Sequence, residues 1–412
     1  ISKWFTGWSF QADDLWYVFG FWVLGLVLLS VTGKALSGLT LRSIEEDDPN
    51  DFKSKRHVNL RKFYRLVINI AAVYYYLSVP VVICLLLAAA GAITYGFFML
   101  GHVPLRLVVI VIVGALVTAG LMIRSLFVRG KSTDPGRAIR FQEAPGLWKL
   151  TREVSSAVGT QPVDEIRLTP GTDLAVYENR SSRGRKGGKA KRVLLLGAGV
   201  LNGFSLNAFR AVLAHEYGHL SHRDTAGGEV ALRVNANMTS FAVAIVASGQ
   251  AVWWNLGFWF LRVYHFIFRR LSHGATRLQE VLADRVAVVN YGSRAFEEGL
   301  RHVVRRSVEF EEAANSEIVS ANQGRRALRN LYDLESVESI HLQNKVSAAI
   351  SRPTTEDDTH PSPVDRFRYA SRIISKQVRP LEGTLWDLFV DREAITNELS
   401  NTISERIRAA RG

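Results

Sequence analysis

Residues 206–220 read LNAFRAVLAHEYGHL and contain the pattern on which the interpretation of this chain depends. Ser205 is a suitable N-cap for the segment, which is predicted to be a helix. His215 and His219 are four residues apart and share one helix face, where both imidazoles can reach one tetrahedral Zn²⁺. Glu216, the next residue after the first histidine, is placed to take a proton from water at the metal rather than to bind the metal.

Two surface histidines on a helix are the alternative interpretation of this H-E-x-x-H pattern. We favour the metal site because the predicted helix comes directly after a predicted strand. Two imidazoles leave a zinc ion short of a third protein ligand. His222 lies about 10 Å along the helix axis from the first histidine, too far to share one ion, so we interpret it as a surface or supporting residue. A metzincin site would need His where this chain has Thr225.

The stretch RLQEVLAD, residues 277–284, offers a better third ligand. Glu280 and Asp284 stand four residues apart on one face of a predicted helix. Glu280 can therefore bind the zinc, while Asp284 orients a ligand imidazole by accepting its other N–H. A pair of surface acids is the alternative interpretation.

The composition predicts a membrane protein. The 412 residues are 48% hydrophobic and their mean hydropathy is +0.06, which is too apolar for a purely soluble chain. The single cysteine, Cys84, excludes an internal disulfide and a cysteine-rich metal site, so any metal is bound by His and carboxylates. A net charge of +13 would suit nucleic acid, but in a membrane protein it is more typical of loops that face anionic lipid, and we predict no nucleic-acid partner.

Three uncharged segments predict an N-terminal membrane region over residues 1–130. We place its transmembrane helices near residues 15–33, 68–98 and 105–127. Acidic residues precede the first segment and no basic region is evident there, so we interpret it as a span rather than a cleavable signal peptide. A buried helix of a soluble domain is the alternative.

Lys and Arg predict how these spans are oriented. The linker between the first two spans and the chain after the third span are rich in both residues, whereas the turn between the second and third spans holds only Arg106. Cytoplasmic segments carry the excess of basic residues. We therefore expect the catalytic domain at the cytoplasmic face of the inner or plasma membrane.

The remaining chain is polar and mixed, which predicts a catalytic core over residues 131–289 and a mostly helical part over 290–412 that completes the active site. The core is expected to contain an amphipathic helix at 145–158 and a buried strand at Val193–Leu196. Residues 180–192 form a glycine-rich basic tract. A solvated insertion is its simplest interpretation, contact with anionic lipid headgroups is the second, and nucleic-acid binding is the third.

A further apolar segment near 237–268 separates the two parts of the expected metal site. Its length is typical of a membrane span, but His219 and Glu280 must meet at one ion, so the chain has to return to the same side. We predict a membrane-associated helical hairpin or re-entrant pair, with Trp253 and Trp254 near the turn or interface. Burial against the first three spans is equally open.

Three separated motifs resemble those of integral-membrane zinc metallopeptidases of the HtpX and type I CAAX prenyl protease family. In the family's order, across about residues 140–370, they are His215–His219, the E-x-x-A-D of 280–284, and Thr359-His360-Pro361-Ser362-Pro363-x-x-Arg366. The resemblance implies a mainly α fold with a small β-sheet, in which transmembrane helices accompany a cytoplasmic catalytic domain of the zincin type, specifically gluzincin-like.

The resemblance also implies roles for individual residues. The family's counterpart of Glu280 is the third zinc ligand, and that of Asp284 supports a histidine ligand. His360 and Arg366 are implied to contact the substrate or the developing oxyanion. If the fold carries over, the strand at Val193–Leu196 lies at the edge of the sheet, where an extended protein or peptide substrate can add to it.

These observations predict a membrane-embedded endopeptidase with one Zn²⁺ per chain. Its expected substrates are membrane or membrane-proximal proteins cleaved at the cytoplasmic face, in protein quality control. A protease that processes CAAX-type prenyl proteins is the enzymatic alternative. A non-catalytic membrane scaffold or sensor with a retained zincin fold is the other alternative.

Overall fold

The computed structural model of the protein describes residues 12–51, 54–101, 103–127, 135–179, 190–221, 228–324, 326–334, 340–354, 358 and 360–409. Among these residues the helices are α1 (Ala12–Glu46), α2 (Lys55–Met99), α3 (Leu105–Leu126), α4 (Pro145–Val158), α5 (Leu206–Ser221), α6 (Gly228–Ala247), α7 (Leu256–Tyr291), α8 (Ser293–Gln323), α9 (Ile340–Ser351), α10 (Pro363–Ala370) and α11 (Arg392–Ala409). The strands are β1 (Arg137–Ile139), β2 (Glu165–Thr169), β3 (Leu174–Asn179) and β4 (Lys191–Gly197). The expected mainly α fold with a small sheet is confirmed.

The chain divides into two compact units. Unit 1 comprises Ile1–Ser43, Ser54–Gly130 and Asp224–Thr276. Unit 2 comprises Ile44–Lys53, Lys131–Arg223 and Arg277–Gly412. Unit 1 therefore holds most of α1, together with α2, α3, α6 and the first part of α7, whereas unit 2 holds the sheet, the H-E-x-x-H motif and Glu280.

The helices of unit 1 are suited to a bilayer by length and composition. Within the described residues, four are long and apolar enough to cross a membrane, namely Phe19–Glu46, Lys55–Met99, Leu105–Leu126 and Val230–Ala247. Their exposed surface is rich in large apolar side chains, including Leu24, Val31, Leu77, Ile110 and Val246. Such a surface is unfavourable in water and favourable against lipid tails. The three spans placed near 15–33, 68–98 and 105–127 correspond to α1, α2 and α3; their number of crossings stays a prediction.

The segment near 237–268 forms two helices, α6 and α7, joined by a short connection. Gly249 adopts a φ of +68° at the end of α6, a conformation that glycine tolerates best. Asn255 caps α7, because its side-chain oxygen accepts the backbone N–H of Gly257 at 2.9 Å. Its amide group donates to Thr118 on α3 at 2.8 Å. The chain thus turns back here, while the membrane association of this pair stays a prediction.

The sheet of unit 2 has the order β1-β2-β4-β3, with β2 and β4 parallel and the other pairs antiparallel. The expectation that Val193–Leu196 forms the sheet edge is wrong: these residues belong to β4, which pairs with β2 on one side and β3 on the other. The apolar run of β4 is typical of a strand with neighbours on both sides. The edge beside β4 is therefore β3.

The core of unit 2 positions the motif helix. Helix α5 is buried on most of its surface. Its residues Ala211, Leu213 and Tyr217 lie in one apolar cluster with strand residues of β2 and β4. The close approach of α8 depends on Gly299, because a Cβ there would lie 2.6 Å from a side-chain methyl of Val212. On the other side, α4 occupies the predicted residues 145–158 and packs against α5. The motif helix is therefore held between α4 and α8.

Candidate metal centre

The two histidines of the motif converge on one point. The Oγ of Ser205 accepts the backbone N–H of Ala208 at 3.3 Å, which confirms the predicted N-cap of α5. Further along the same helix, the Nε2 atoms of His215 and His219 lie 3.1 Å apart. The two imidazoles therefore share one helix face and direct the same ring nitrogen to a common position.

Helix α7 brings a carboxylate to that position. The Oε1 atom of Glu280 lies 3.2 Å from His219 Nε2, and its Oε2 atom lies 3.5 Å from His215 Nε2. Ligand atoms of a tetrahedral zinc site, each at about 2.0–2.1 Å from the ion, are about 3.3 Å apart. The nitrogen and oxygen donors match this spacing. Among the described residues, His215, His219 and Glu280 form the group able to hold a metal ion.

Gly218 sets the separation of the two helices that bear these ligands. A Cβ at this position would lie 2.9 Å from the Cα of Ala283, a backbone atom that cannot move aside. Ala283 stands one turn from Glu280 on α7. The missing side chain lets the two backbones approach closely, and the Glu280 carboxylate thereby reaches the imidazoles.

Asp284 and Arg366 support the first histidine. The Nδ1 atom of His215 lies 2.8 Å from Asp284 Oδ1, an arrangement in which Nδ1–H donates to the carboxylate and Nε2 is left for a metal. The guanidinium of Arg366 donates to the same carboxylate through Nε at 2.8 Å and Nη2 at 2.5 Å. All three side chains are buried. Asp284 thus has the supporting position that the resemblance implied.

The charges of this cluster keep both acids ionised. Burial raises the pKa of Glu280, but hydrogen bonds with His219 and His360 outweigh it and hold the pKa well below its usual range. Burial also opposes ionisation of Asp284, and the adjacent guanidinium of Arg366 lowers the pKa of that carboxyl. Burial lowers the pKa of His219, whereas the hydrogen bond to Glu280 raises it, with a net rise. Two buried anions and one permanent cation therefore surround the histidines.

His360 lies at the open side of the site. Its Nδ1 atom is 2.9 Å from Glu280 Oε1, and its side chain is 59% exposed. Arg366 differs sharply, because its side chain is 9% exposed and paired with Asp284. The structure brings both residues to the metal ligands, but it leaves only the imidazole accessible to a substrate. Direct contact of either residue with substrate stays a prediction.

Glu216 lies between the metal ligands and the sheet edge. It is next to His215 on α5, and its Oε2 atom accepts the backbone N–H of Val176 at 3.4 Å. Val176 belongs to β3, the edge strand. Glu216 is therefore adjacent both to the histidines and to the edge strand β3.

Sequence reasoning missed two residues beside the ligands. The ring of Phe296 lies under the guanidinium of Arg366, with the carbon of that group 5.4 Å from the ring centre. Arg277 is fully buried on α7, one turn before Glu280, and donates to the backbone oxygen of Asp358. The sequence signal was an arginine on the same predicted helix face as Glu280 and Asp284, but its partner is distant in sequence.

Some sequence-based expectations fall outside the described residues. These are His222, Thr225, Thr359 and residues 180–189 of the basic tract. The tract's last two residues, Lys191 and Arg192, belong to β4. There Arg192 donates to the backbone oxygen of Gln161 at 2.6 Å and pairs with Glu178 at 3.2 Å.

Comparison with known proteins agrees with this geometry. Residues 184–374 match the model of peptidase family M48. This segment contains the two histidines, Glu280, Asp284, His360 and Arg366. Over this segment the chain is similar to the metallopeptidases of family M48, which bears out the resemblance recognised in its three motifs.

One curated relative is similar to part of the chain. The chain is 27% identical over 146 residues to a protein named "Protease HtpX homolog" from Pelotomaculum thermopropionicum. The match covers 35% of this chain and 47% of the relative, so the chain spans about half the length of the curated relative that it matches. No solved structure matches the chain. Together with the four apolar helices, the relative supports a membrane protein of the HtpX-like type.

Proposed function

We propose that this protein is a zinc-dependent endopeptidase that acts on membrane or membrane-proximal proteins. The observation that carries the proposal is the triangle of donor atoms of His215, His219 and Glu280, with separations of 3.1, 3.2 and 3.5 Å. The borderline-soft nitrogen donors together with one carboxylate suit zinc better than calcium or magnesium. A zinc ion held there would supply Lewis-acid activation of water and of the scissile carbonyl.

Three residues around the ligands have separate proposed roles in catalysis. Glu216 is the general base that removes a proton from the attacking water and carries it to the leaving amine, since its carboxylate adjoins the ligands without belonging to the triangle. His360 is the accessible donor for the carbonyl oxygen as negative charge develops there. Arg366 orients Asp284, and through it His215, because its Nε and Nη2 atoms donate to the two oxygens of that carboxylate.

The substrate is proposed to bind as an added strand on β3. The strand at Val193–Leu196 was expected to bind the substrate, but it lies inside the sheet, so β3 takes its place in the proposal. Backbone pairing holds many sequences in extended form, and the edge strand adjoins Glu216 through Val176. A peptide on β3 would therefore bring its carbonyl groups to the general base.

The membrane arrangement and the biological role are part of the same proposal. The excess of Lys and Arg after the third apolar segment supports a catalytic domain at the cytoplasmic face of the inner or plasma membrane. An endopeptidase that recognises backbone rather than particular side chains suits quality control, where damaged membrane proteins of many sequences have to be removed. Contact of the basic tract at 180–192 with anionic headgroups belongs to this proposal.

Purified full-length protein and its Glu216→Gln variant test the activity. We expect one zinc per chain in both proteins, cleavage of fluorescein-labelled β-casein by the wild type, and a loss of turnover of at least about 1,000-fold in the variant. Zinc binding without any wild-type cleavage would favour the scaffold alternative. Cleavage of a farnesylated CAAX peptide in preference to casein would favour the prenyl-protein alternative.

A further inference from the structure

We propose that Arg277 is a positioning residue that fixes His360 over the metal site. This inference rests on the proposed function, because it assigns His360 the accessible donor role. Arg277 is the largest fully buried side chain of the described residues, with 0% exposure. Its Nη1 atom donates to the backbone oxygen of Asp358, two residues before His360, at 2.9 Å.

One face of α7 carries the third ligand, Glu280, and also contacts the segment that bears the proposed donor, His360. Arg277, Glu280 and Asp284 are spaced by three and four residues, so they lie in a row along that face. Glu280 contacts His360 Nδ1 at 2.9 Å, and Arg277 binds the chain just before His360. The same helix therefore places the third ligand and holds the accessible imidazole against it.

The imidazole needs such an anchor because its own side chain is largely exposed. After His360, the chain is fixed by Asp365 of α10, whose carboxylate accepts from the hydroxyl groups of Ser362 at 2.9 Å and Thr354 at 2.6 Å. Before His360, the Arg277 bond to Asp358 is the buried one. The two anchors restrain the chain on either side of the imidazole.

A second arginine provides a matched control at the same place. Arg352 pairs with the side chain of Asp358 at 2.6 Å, but it is 66% exposed. Exposed pairs of this kind contribute little, typically about 0–1 kcal/mol. Arg277, in contrast, is fully buried and makes a charge-assisted bond in a low-dielectric surrounding, where such bonds are strongest. Loss of Arg277 should release Asp358 and His360, whereas loss of Arg352 should not.

The test compares Arg277→Met, Arg277→Lys, Arg352→Ala and His360→Ala in the full-length protein. Hydrogen exchange of peptides covering 352–362 reads the positioning without any turnover. Zinc content and the kcat and KM for labelled β-casein are measured beside it. Arg277→Lys keeps the buried charge and a donor, so it provides a milder variant if the methionine disturbs folding.

We expect Arg277→Met to accelerate exchange at 352–362 by about tenfold or more while peptides of α5 stay protected. We also expect kcat to fall by about 10- to 100-fold with little change in KM and zinc content, as when a supporting group is lost. Arg277→Lys should recover part of kcat. Arg352→Ala should behave as the wild type in all these measurements.

The double variant with His360→Ala separates positioning from general stability. If Arg277 acts through His360, its removal costs no further kcat once His360 is absent. Unchanged exchange at 352–362, a fully additive loss of kcat, or zinc loss in proportion to activity would each overturn the proposal. A wild type that binds zinc but cleaves nothing would instead remove the proposed function, and the exchange result would still decide whether Arg277 holds this segment.

Discussion

Two sites in unit 2 pair buried carboxylates with arginines, and the two sites have different consequences. At the metal site, Glu280 and Asp284 are paired with Arg366. Near the end of α8, Glu317 is paired with Arg326 at 2.5 Å and with Arg329 at 2.8 Å. Arg366 lowers the pKa of the buried Asp284 carboxyl, and Arg326 and Arg329 lower the pKa of the buried Glu317 carboxyl.

The two sites differ in the other groups that contact the carboxylate. The carboxylate of Glu280 faces two imidazole Nε2 atoms, whereas Glu317 also accepts the backbone N–H of Arg329 at 3.0 Å and so holds the following chain against α8. A buried ion pair is therefore weak evidence for a site on its own. Convergence of a second ligand type is what distinguishes a metal centre from a structural clamp.

The largest expected contrast is in zinc binding. Glu280→Gln removes an anionic ligand, so zinc affinity should fall by more than about 100-fold, beyond the loss caused by removing a supporting group, and turnover should fall with it. Glu317→Gln should retain one zinc per chain. Competition with a chromophoric chelator measures both affinities. Equal zinc affinity in the two variants would contradict the assignment of the metal centre.

A smaller loss of zinc affinity is expected when the residue that supports a ligand, Asp284, is changed. Asp284→Asn keeps the size of the side chain but removes the charge that orients His215, so zinc affinity should fall by about 10- to 100-fold. Chelator competition and kcat measured with excess zinc test this expectation. An affinity equal to that of the wild type would show that the bond at 2.8 Å does not support the ligand.

A histidine away from the metal centre should respond to pH through folding. Burial lowers the pKa of His302 to about 4, and its Nε2 lies 2.8 Å from the backbone oxygen of Val200. The unfolded chain binds a proton near pH 6.5, so stability falls as the pH drops below that value and continues to fall down to the folded pKa. Between pH 7 and pH 5 the loss should be about 2 kcal/mol.

Denaturant unfolding of unit 2 at the two pH values, followed by hydrogen exchange in α8, measures this loss. His302→Gln retains a donor for Val200 without a titrating ring. The variant should therefore show less pH dependence than the wild type over the same interval. The same pH dependence in both proteins would show that other groups dominate.

The smallest expected effect concerns the structural clamp. Glu317→Gln should lower the stability of the α8 end by about 1–2 kcal/mol at neutral pH, a modest value because both arginines are partly exposed. Since the fold lowers the pKa of Glu317, this contribution is present above its ordinary pKa of about 4.3 and is lost as the pH falls further. Hydrogen exchange of residues 326–334 at pH 7 and pH 4 checks it. Equal protection in variant and wild type at pH 7 would contradict it.

The sequence predicted the ligands because their positions follow from local geometry. His215 and His219 share a face through helix periodicity alone, and Glu280 and Asp284 do so on α7. The edge strand was predicted wrongly because strand order depends on which distant segments pair, and a buried apolar run does not state its neighbours. Arg277 was missed because its partner is a backbone oxygen 81 residues away, which carries no side-chain signal.

Gly218 gives the H-E-x-x-H pattern of this chain a meaning beyond its metal ligands. A methyl group there would meet the backbone of Ala283 at 2.9 Å, so even alanine would force the two ligand-bearing helices apart. A displacement of a few tenths of an ångström is comparable with the tolerance of a metal–ligand distance, about 0.2 Å. The spacing of the candidate metal ligands therefore depends on a position that contributes no donor atom of its own.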